Sequence, residues 1–329
     1  MARGQGILAF TASYRLHLPC NKCESRSQFD RKIGLSRREE TMALEIRKLG
    51  EFVGAEAVGV DLSKPVEEET RQALYDAMVE HVALVIRDQE FGPNEFAHAA
   101  SLFGEPMRQN FTKFACEEQP LVSYISNTFE SAKGKRVYHS TYWHSDHANR
   151  ETPPKYTSLY ALELPESGGG DTGVFNTRAA YASLSKEWQE KLDPLEGVHG
   201  YQGSSKTAVS FKVDVSAKLV EDVPVTHDLV RIHPDNGEKA IYLHQGKLHN
   251  FVGMDGEESH ELVSDLLELT LKPEFVYRHQ WCLGDMLIWD NRQSMHQAYK
   301  DYDLSETRTL FRIIGAPEAP LKRAEAKVA

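Results

Sequence analysis

The chain has 329 residues, 40% hydrophobic, 26% charged and 9% aromatic, which excludes a disordered, collagenous or coiled-coil protein and supplies enough material for a sizeable core. No run approaches 18 uninterrupted apolar residues, so no membrane span is expected; four cysteines are too few for a disulfide scaffold and fit a reducing, cytoplasmic compartment. The net charge of −11 argues against a general nucleic-acid binder.

The first 38 residues carry eight Lys and Arg against Glu24 and Asp30, a local charge of +6 that leaves −17 for the remainder. Residues 1–41 show no sustained period and are rich in Arg and Ser, a composition loosely like an import peptide. They are expected to form a disordered basic extension, an address label or sequence upstream of a start at Met42, ahead of one domain over 42–329. Cys20 and Cys23 make a CxxC pair, but Cys116 and Cys282 stand alone, so the second half of a zinc site is missing.

From Met42 the pattern becomes regular. Ile46–Leu49, Glu51–Val53 and Ala57–Val60 read as short strands. Glu67–Glu80 reads as a helix, with Leu74, Ala77, Met78 and His81 at three- and four-residue spacing. Val82–Arg87 is a continuous apolar run of buried-strand length. Pro93 opens a second helix whose face is Phe96, Ala99, Ala100 and Phe103, ending at Gly104. Tyr156–Leu164 reads as a strand, Thr177–Leu184 and Lys186–Leu192 as short helices, the latter capped by Ser185. Residues 200–229 are weakly periodic and suggest a lid loop. Glu257–Leu271 reads as a helix stopped by Pro273, and Phe275–Gln280, Met286–Trp289 and Thr309–Ile314 as strands. There is no regular βαβ alternation, no GxGxxG and no phosphate-binding Gly-rich loop, which disfavours a nucleotide fold.

Two constellations carry chemistry. In Trp143-His144-Ser145-Asp146-His147, a strand would put His144 and Asp146 on one face. One further histidine would complete the two-His-one-carboxylate set that binds Fe(II) with open positions. His147 would point away. The second runs from Gly284-Asp285 through Trp289-Asp290-Asn291 to His296, then Arg308 and Arg312. Arginines four apart on an apolar strand share a face and need anionic partners, either protein carboxylates or a ligand.

At this point a family resemblance emerges. WHSDHANRETPPKYTSLYALELPESGGGDT (143–172), KPEF (272–275), GDMLIWDNRQSMH (284–296) and RTLFRIIG (308–315) resemble the taurine / 2,4-dichlorophenoxyacetate dioxygenase family of Fe(II)- and 2-oxoglutarate-dependent oxygenases. GAEAVGVDLSKP, VIRDQ and LFGEP extend the similarity over roughly residues 45–317. The resemblance implies a mainly β, double-stranded β-helix (jelly-roll) core with flanking helices. It implies His144, Asp146 and His296 as iron ligands, with 2-oxoglutarate and O2 as cosubstrates. Thr172 and Arg308 match the residues that hold the distal carboxylate of 2-oxoglutarate, and Arg312 one that meets the substrate's anionic group. It further implies a homodimer or higher oligomer.

The substrate is then a small organic anion: a sulfonate, an alkyl sulfate, an aryloxyalkanoate or another carboxylate. Taurine-cleaving members carry a His and a Tyr after the segment matching Gly104-Glu105-Pro106. Here Met107 to Thr112 stand there, making Gln109 and Asn110 candidate substrate contacts, while Tyr142, Phe111 and Phe175 either line an apolar substrate pocket or pack in the core. Ser140 and Leu243-His244 also depart from the taurine pattern. A metal hydrolase using the same triad and a silent jelly-roll binding protein remain as alternatives; no HExxH motif supports the hydrolase.

Overall fold

A computed structural model describes residues 43–109, 112–129, 141–200 and 223–317. Residues 1–41 with Cys20 and Cys23, Asn110, Phe111, Ser140 and most of the expected lid lie outside these ranges. Among the described residues, sixteen strands and five α-helices make the mainly β architecture expected, and no helix is long and apolar enough to cross a membrane.

Strand β1 (Glu45–Lys48) pairs antiparallel with β2 (Ala55–Val58). The expected strand at Glu51–Val53 is a bend instead, closed by the Leu49 N–H on the Gly54 carbonyl at 2.9 Å. Helix α1 (Glu68–His81) crosses over to β3 (Ala83–Ile86), which runs parallel to β2. Helix α2 (Pro93–Ser101) follows, with Pro at its first turn as read.

The large sheet runs in the order β1, β2, β3, β14 (Met286–Asp290), β6 (Tyr156–Glu163), β16 (Thr309–Gly315), β4 (Pro106–Met107), and β5 (Ser123–Ser126) also pairs with β16. Its central strands divide their residues by parity. Leu84, Ile86, Tyr156, Tyr160, Met286, Ile288, Phe311 and Ile313 pack with Leu74, Met78, Phe96 and Ala99 of α1 and α2. Val85, Leu159, Ala161, Leu287, Trp289 and Leu310 face inward and meet Val174 and Trp281. Burial on both faces explains why 82–86 is apolar throughout rather than alternating, the run ending at the ion-paired Arg87.

A second sheet, β13 (Val276–His279), β7 (Thr172–Asn176), β15 (Ser294–Ala298), supplies the facing wall. Its outward residues Phe175 and Met295 pack beneath helix α5 (Gly256–Thr270) with Leu262, Val263 and Leu266. Parity therefore turns their neighbours Val174 and His296, which pair in register, inward. Helices α3 (Thr177–Ala182) and α4 (Lys186–Leu192) follow β7, and the Ser185 side chain caps α4 by accepting from the Trp188 N–H as expected. Two small sheets, β12 (Leu248–Phe251) with β8 (Glu196–His199) and β9 (Val225–Asp228), and β10 (Val230–Ile232) with β11 (Lys239–Ile241), complete the fold. Strand β9 thus falls inside the stretch read as lid loop.

Candidate metal centre and anion site

His144 and Asp146 do not sit in a strand. His144 is a lone bridge residue, paired antiparallel to both His244 and His296, and Asp146 opens a turn. Reciprocal backbone bonds between His144 and His296 (3.1 and 2.8 Å) stitch this segment onto β15. The juxtaposition expected of a strand is reached by that route. One donor atom from each of His144, Asp146 and His296 lies within 4.8 Å of the others, all three residues being buried.

The donor chemistry suits a metal. His144 donates Nδ1–H to the Tyr142 carbonyl at 2.9 Å, which fixes the tautomer and leaves Nε2 with a lone pair. His296 Nε2 lies 3.8 Å from Asp146 Oδ2. The His296 ring is held between those of Trp289 (4.5 Å between centroids) and His144 (4.1 Å), while its Nδ1 is buried with no hydrogen-bond partner. Burial depresses the basicity of both histidines. Burial alone would raise the Asp146 carboxyl, but the Arg312 guanidinium and the site's histidines outweigh it and hold it well below the usual range. Two neutral imidazoles and one carboxylate are the protonation states that a divalent cation requires.

Both oxygens of Asp146 have further neighbours. Arg312 Nη2 lies 2.6 Å from Oδ1, though without hydrogen-bond geometry. Oδ2 accepts from Thr157 Oγ1 at 2.6 Å.

Arg308 precedes β16 and shares the inward face with Leu310 and Arg312, as the spacing predicted. It is 6% exposed, and its hydrogen bonds go to uncharged oxygens: Nε to the Gly170 carbonyl at 2.6 Å and Nη2 to Thr172 Oγ1 at 3.4 Å. The nearby carboxylates of Asp171 and Asp301 are already engaged by Arg278. Desolvation outweighs the more distant pull of Tyr302, Asp171 and Asp301 and pushes Arg308 down to about 10. Gly170 makes this approach possible: at φ +69°, a Cβ there would meet Arg308 Cδ and Nε at 2.9 Å.

Thr172 Oγ1 also accepts from Trp281 Nε1 at 3.1 Å. With two N–H groups on its oxygen, the hydroxyl proton is left to donate to a further acceptor. A carboxylate between Arg308 and Thr172 would answer both unmet demands, so the residues fit the distal end of a keto acid.

The remaining expected contacts divide. Tyr142 packs its ring against those of His144 (5.5 Å) and His244 (5.7 Å). Gln109 donates its amide to the Arg312 carbonyl at 3.3 Å, so it supports the strand that carries Arg312. Asn110 lies outside the described residues. Sequence reasoning missed Thr157, whose hydroxyl in an apolar strand was the available signal, and gave His244 only passing weight.

A family model described as "Taurine catabolism dioxygenase TauD, TfdA family" matches residues 45–314. An alkylsulfatase of Acinetobacter baylyi is 34% identical over 295 residues, covering 84% of this chain and 86% of its own. An alpha-ketoglutarate-dependent sulfate ester dioxygenase of Pseudomonas putida is 30% identical over 306 residues, covering 87% and 94%. The crystal structure of AAD-2 in complex with Mn(II) and N-oxalylglycine superposes with a TM-score of 0.72 at 29% identity, covering 85% of this chain and 100% of that one. The chain belongs to the TauD/TfdA dioxygenase family.

Proposed function

We propose that this Fe(II)- and 2-oxoglutarate-dependent dioxygenase holds its iron with His144, Asp146 and His296, holds the distal carboxylate of 2-oxoglutarate with Thr172 and Arg308, and uses Arg312 to orient an alkyl sulfate ester. The observation that carries the reading is a buried Arg308 with no carboxylate, beside a Thr172 hydroxyl with a proton to give, on the same strand face as an arginine touching the triad. The alkylsulfatase and sulfate ester dioxygenase relatives support the choice of ester. Membership of a dioxygenase family sets aside the hydrolase and silent-binder readings.

Bound iron supplies the coupling of O2 reduction to the oxidative decarboxylation of 2-oxoglutarate, giving succinate and CO2. The chain's own groups bind and orient. His144 Nδ1–H, tied to the Tyr142 carbonyl, keeps Nε2 turned to the site. Arg308 and Thr172 anchor the far end of the keto acid. Arg312, with its side chain 18% exposed, meets the sulfate and directs the adjoining carbon to the centre. Hydroxylation of that carbon gives a 1-hydroxyalkyl sulfate. Its C–O bond to sulfate then breaks as the hydroxyl proton leaves, so that alkyl sulfate, O2 and 2-oxoglutarate become aldehyde, sulfate, a proton, succinate and CO2.

A panel of medium-chain alkyl sulfates, sulfonates and aryloxyalkanoates tests the proposal. Alkyl sulfates should release succinate and sulfate in equal amounts, and the visible charge-transfer band of the anaerobic Fe(II)–2-oxoglutarate complex should vanish in His144→Ala. Faster succinate release with aryloxyalkanoates would overturn the ester; an intact band in His144→Ala would overturn the ligand set.

A further inference from the structure

A polar chain crosses the apolar interior behind Asp146. Trp289 Nε1 donates to Asn291 Oδ1 at 3.1 Å, Asn291 Nδ2 donates to Thr157 Oγ1 at 2.9 Å, and Thr157 Oγ1 donates to Asp146 Oδ2 at 2.6 Å. Trp289, Asn291 and Thr157 are each at most 1% exposed. The direction of every bond is forced. An indole N–H can only donate, so Asn291 must turn its oxygen to Trp289 and its amide nitrogen to Thr157. Thr157 then receives at its oxygen and can only pass its proton to the carboxylate. The same Trp289 lays its ring against His296, with 4.5 Å between centroids, so one side chain bears on two members of the triad.

The chain has a competitor to hold off. Arg312 Nη2 already lies 2.6 Å from the other oxygen of Asp146, and a guanidinium fork readily takes both oxygens of a carboxylate. Thr157 secures Oδ2, the oxygen nearest His296. We propose that Trp289, Asn291 and Thr157 form a positioning relay that holds the Asp146 carboxylate toward the metal and away from a bidentate pair with Arg312. The relay rests on the ligand assignment proposed above, and it acts through Asp146 without touching metal or substrate.

Mn(II) affinity of the metal-free protein, by calorimetric titration, is the direct test because it needs no turnover. Thr157→Val keeps shape and removes the donor; it should weaken Mn(II) roughly 10–100-fold, the usual cost of a lost partner to a metal ligand. Thr157→Ser restores the hydroxyl and should recover most of that loss, a rescue that a packing role would not give. Asn291→Asp offers Thr157 an acceptor in place of a donor, drawing its proton from Asp146, and should also weaken binding. Adding Arg312→Leu to Thr157→Val should restore part of the affinity by removing the competitor. Thermal melting of each metal-free variant identifies any loss due to misfolding.

If wild type binds Mn(II), His144→Ala does not, and folded Thr157→Val binds like wild type, the relay is overturned while the ligand set stands. If His144→Ala binds as wild type does, the ligand set falls and the relay with it.

Discussion

Two buried arginines, each flanking a strand of the large sheet, differ in how their charge is met. Arg292 follows β14 and Arg308 precedes β16, and both are 6% exposed. Arg292 is saturated. Its Nε and Nη2 fork onto Asp290 at 2.8 and 2.6 Å, and Nη1 reaches Asp235 at 2.9 Å. Asp290 in turn accepts from His233 Nε2 at 2.8 Å. Burial opposes the charge on Arg292, but Asp290 more than offsets it and raises its basicity. Arg308 is equally buried and has only a carbonyl and a hydroxyl, so its basicity falls. Burial therefore carries little information by itself. On the proposed assignment, the unmet counter-charge is what distinguishes a place for a ligand.

Mutation should separate the two regions by different readouts. The largest effect belongs to Arg292→Met, which leaves the Asp290 carboxylate buried with only part of its compensation. Stability should fall by about 3–5 kcal/mol, measured by denaturant unfolding of the metal-free protein, with the affinity of the folded fraction for 2-oxoglutarate little changed. Arg308→Met should do the reverse. Its removal relieves an uncompensated buried charge, so the metal-free protein should melt no lower than wild type. The KM for 2-oxoglutarate should rise on the order of 100-fold, corresponding to roughly 2–3 kcal/mol for a charged hydrogen bond. If Arg308→Met unfolds like Arg292→Met, the two arginines are alike and the comparison fails.

The same contrast explains what could be read from sequence. Strands such as Ala83–Ile86 and Met286–Asp290 were legible as apolar runs because both their faces are buried. His144 and Asp146 were legible as an HxD pair, and His296 through the family resemblance of the segment that carries it. Strand β7 was not, because it starts on Thr172-Gly173 directly after Gly168-Gly169-Gly170-Asp171 and shows no apolar pattern there. Gly173 is there for close packing: a Cβ would lie 2.9 Å from Trp143 and 3.0 Å from Tyr299. Strand β15 (SMHQA) hid for a related reason, since its inward His296 serves the site and breaks the apolar alternation. Arg292 has its main partner, Asp290, two residues away, whereas the partners of Arg308, Gly170 and Thr172, come from a segment more than a hundred residues away. No local pattern announces that second set, so the role of Arg308 shows only once the chain is folded.

Thr172 gives the smallest and sharpest test of the Arg308 region. Thr172→Val keeps volume and strand propensity, so the β7 pairing with β13 and β15 should persist. Two kinds of bond are lost. The Trp281 N–H and the Arg308 Nη2–H lose their acceptor, at 3.1 and 3.4 Å, costing about 1 kcal/mol of stability. The proton that the hydroxyl had free to donate is also gone, so 2-oxoglutarate should bind roughly 5- to 10-fold more weakly. Thr172→Ser should restore both. The two losses are separable because only the second depends on cosubstrate: melting without 2-oxoglutarate reports the bonds from Trp281 and Arg308, and the further rise on adding 2-oxoglutarate with Mn(II) reports the carboxylate bond. A Thr172→Val protein that gains as much from 2-oxoglutarate as wild type would mean that the hydroxyl proton never served the ligand, and that Arg308 alone carries the anchoring.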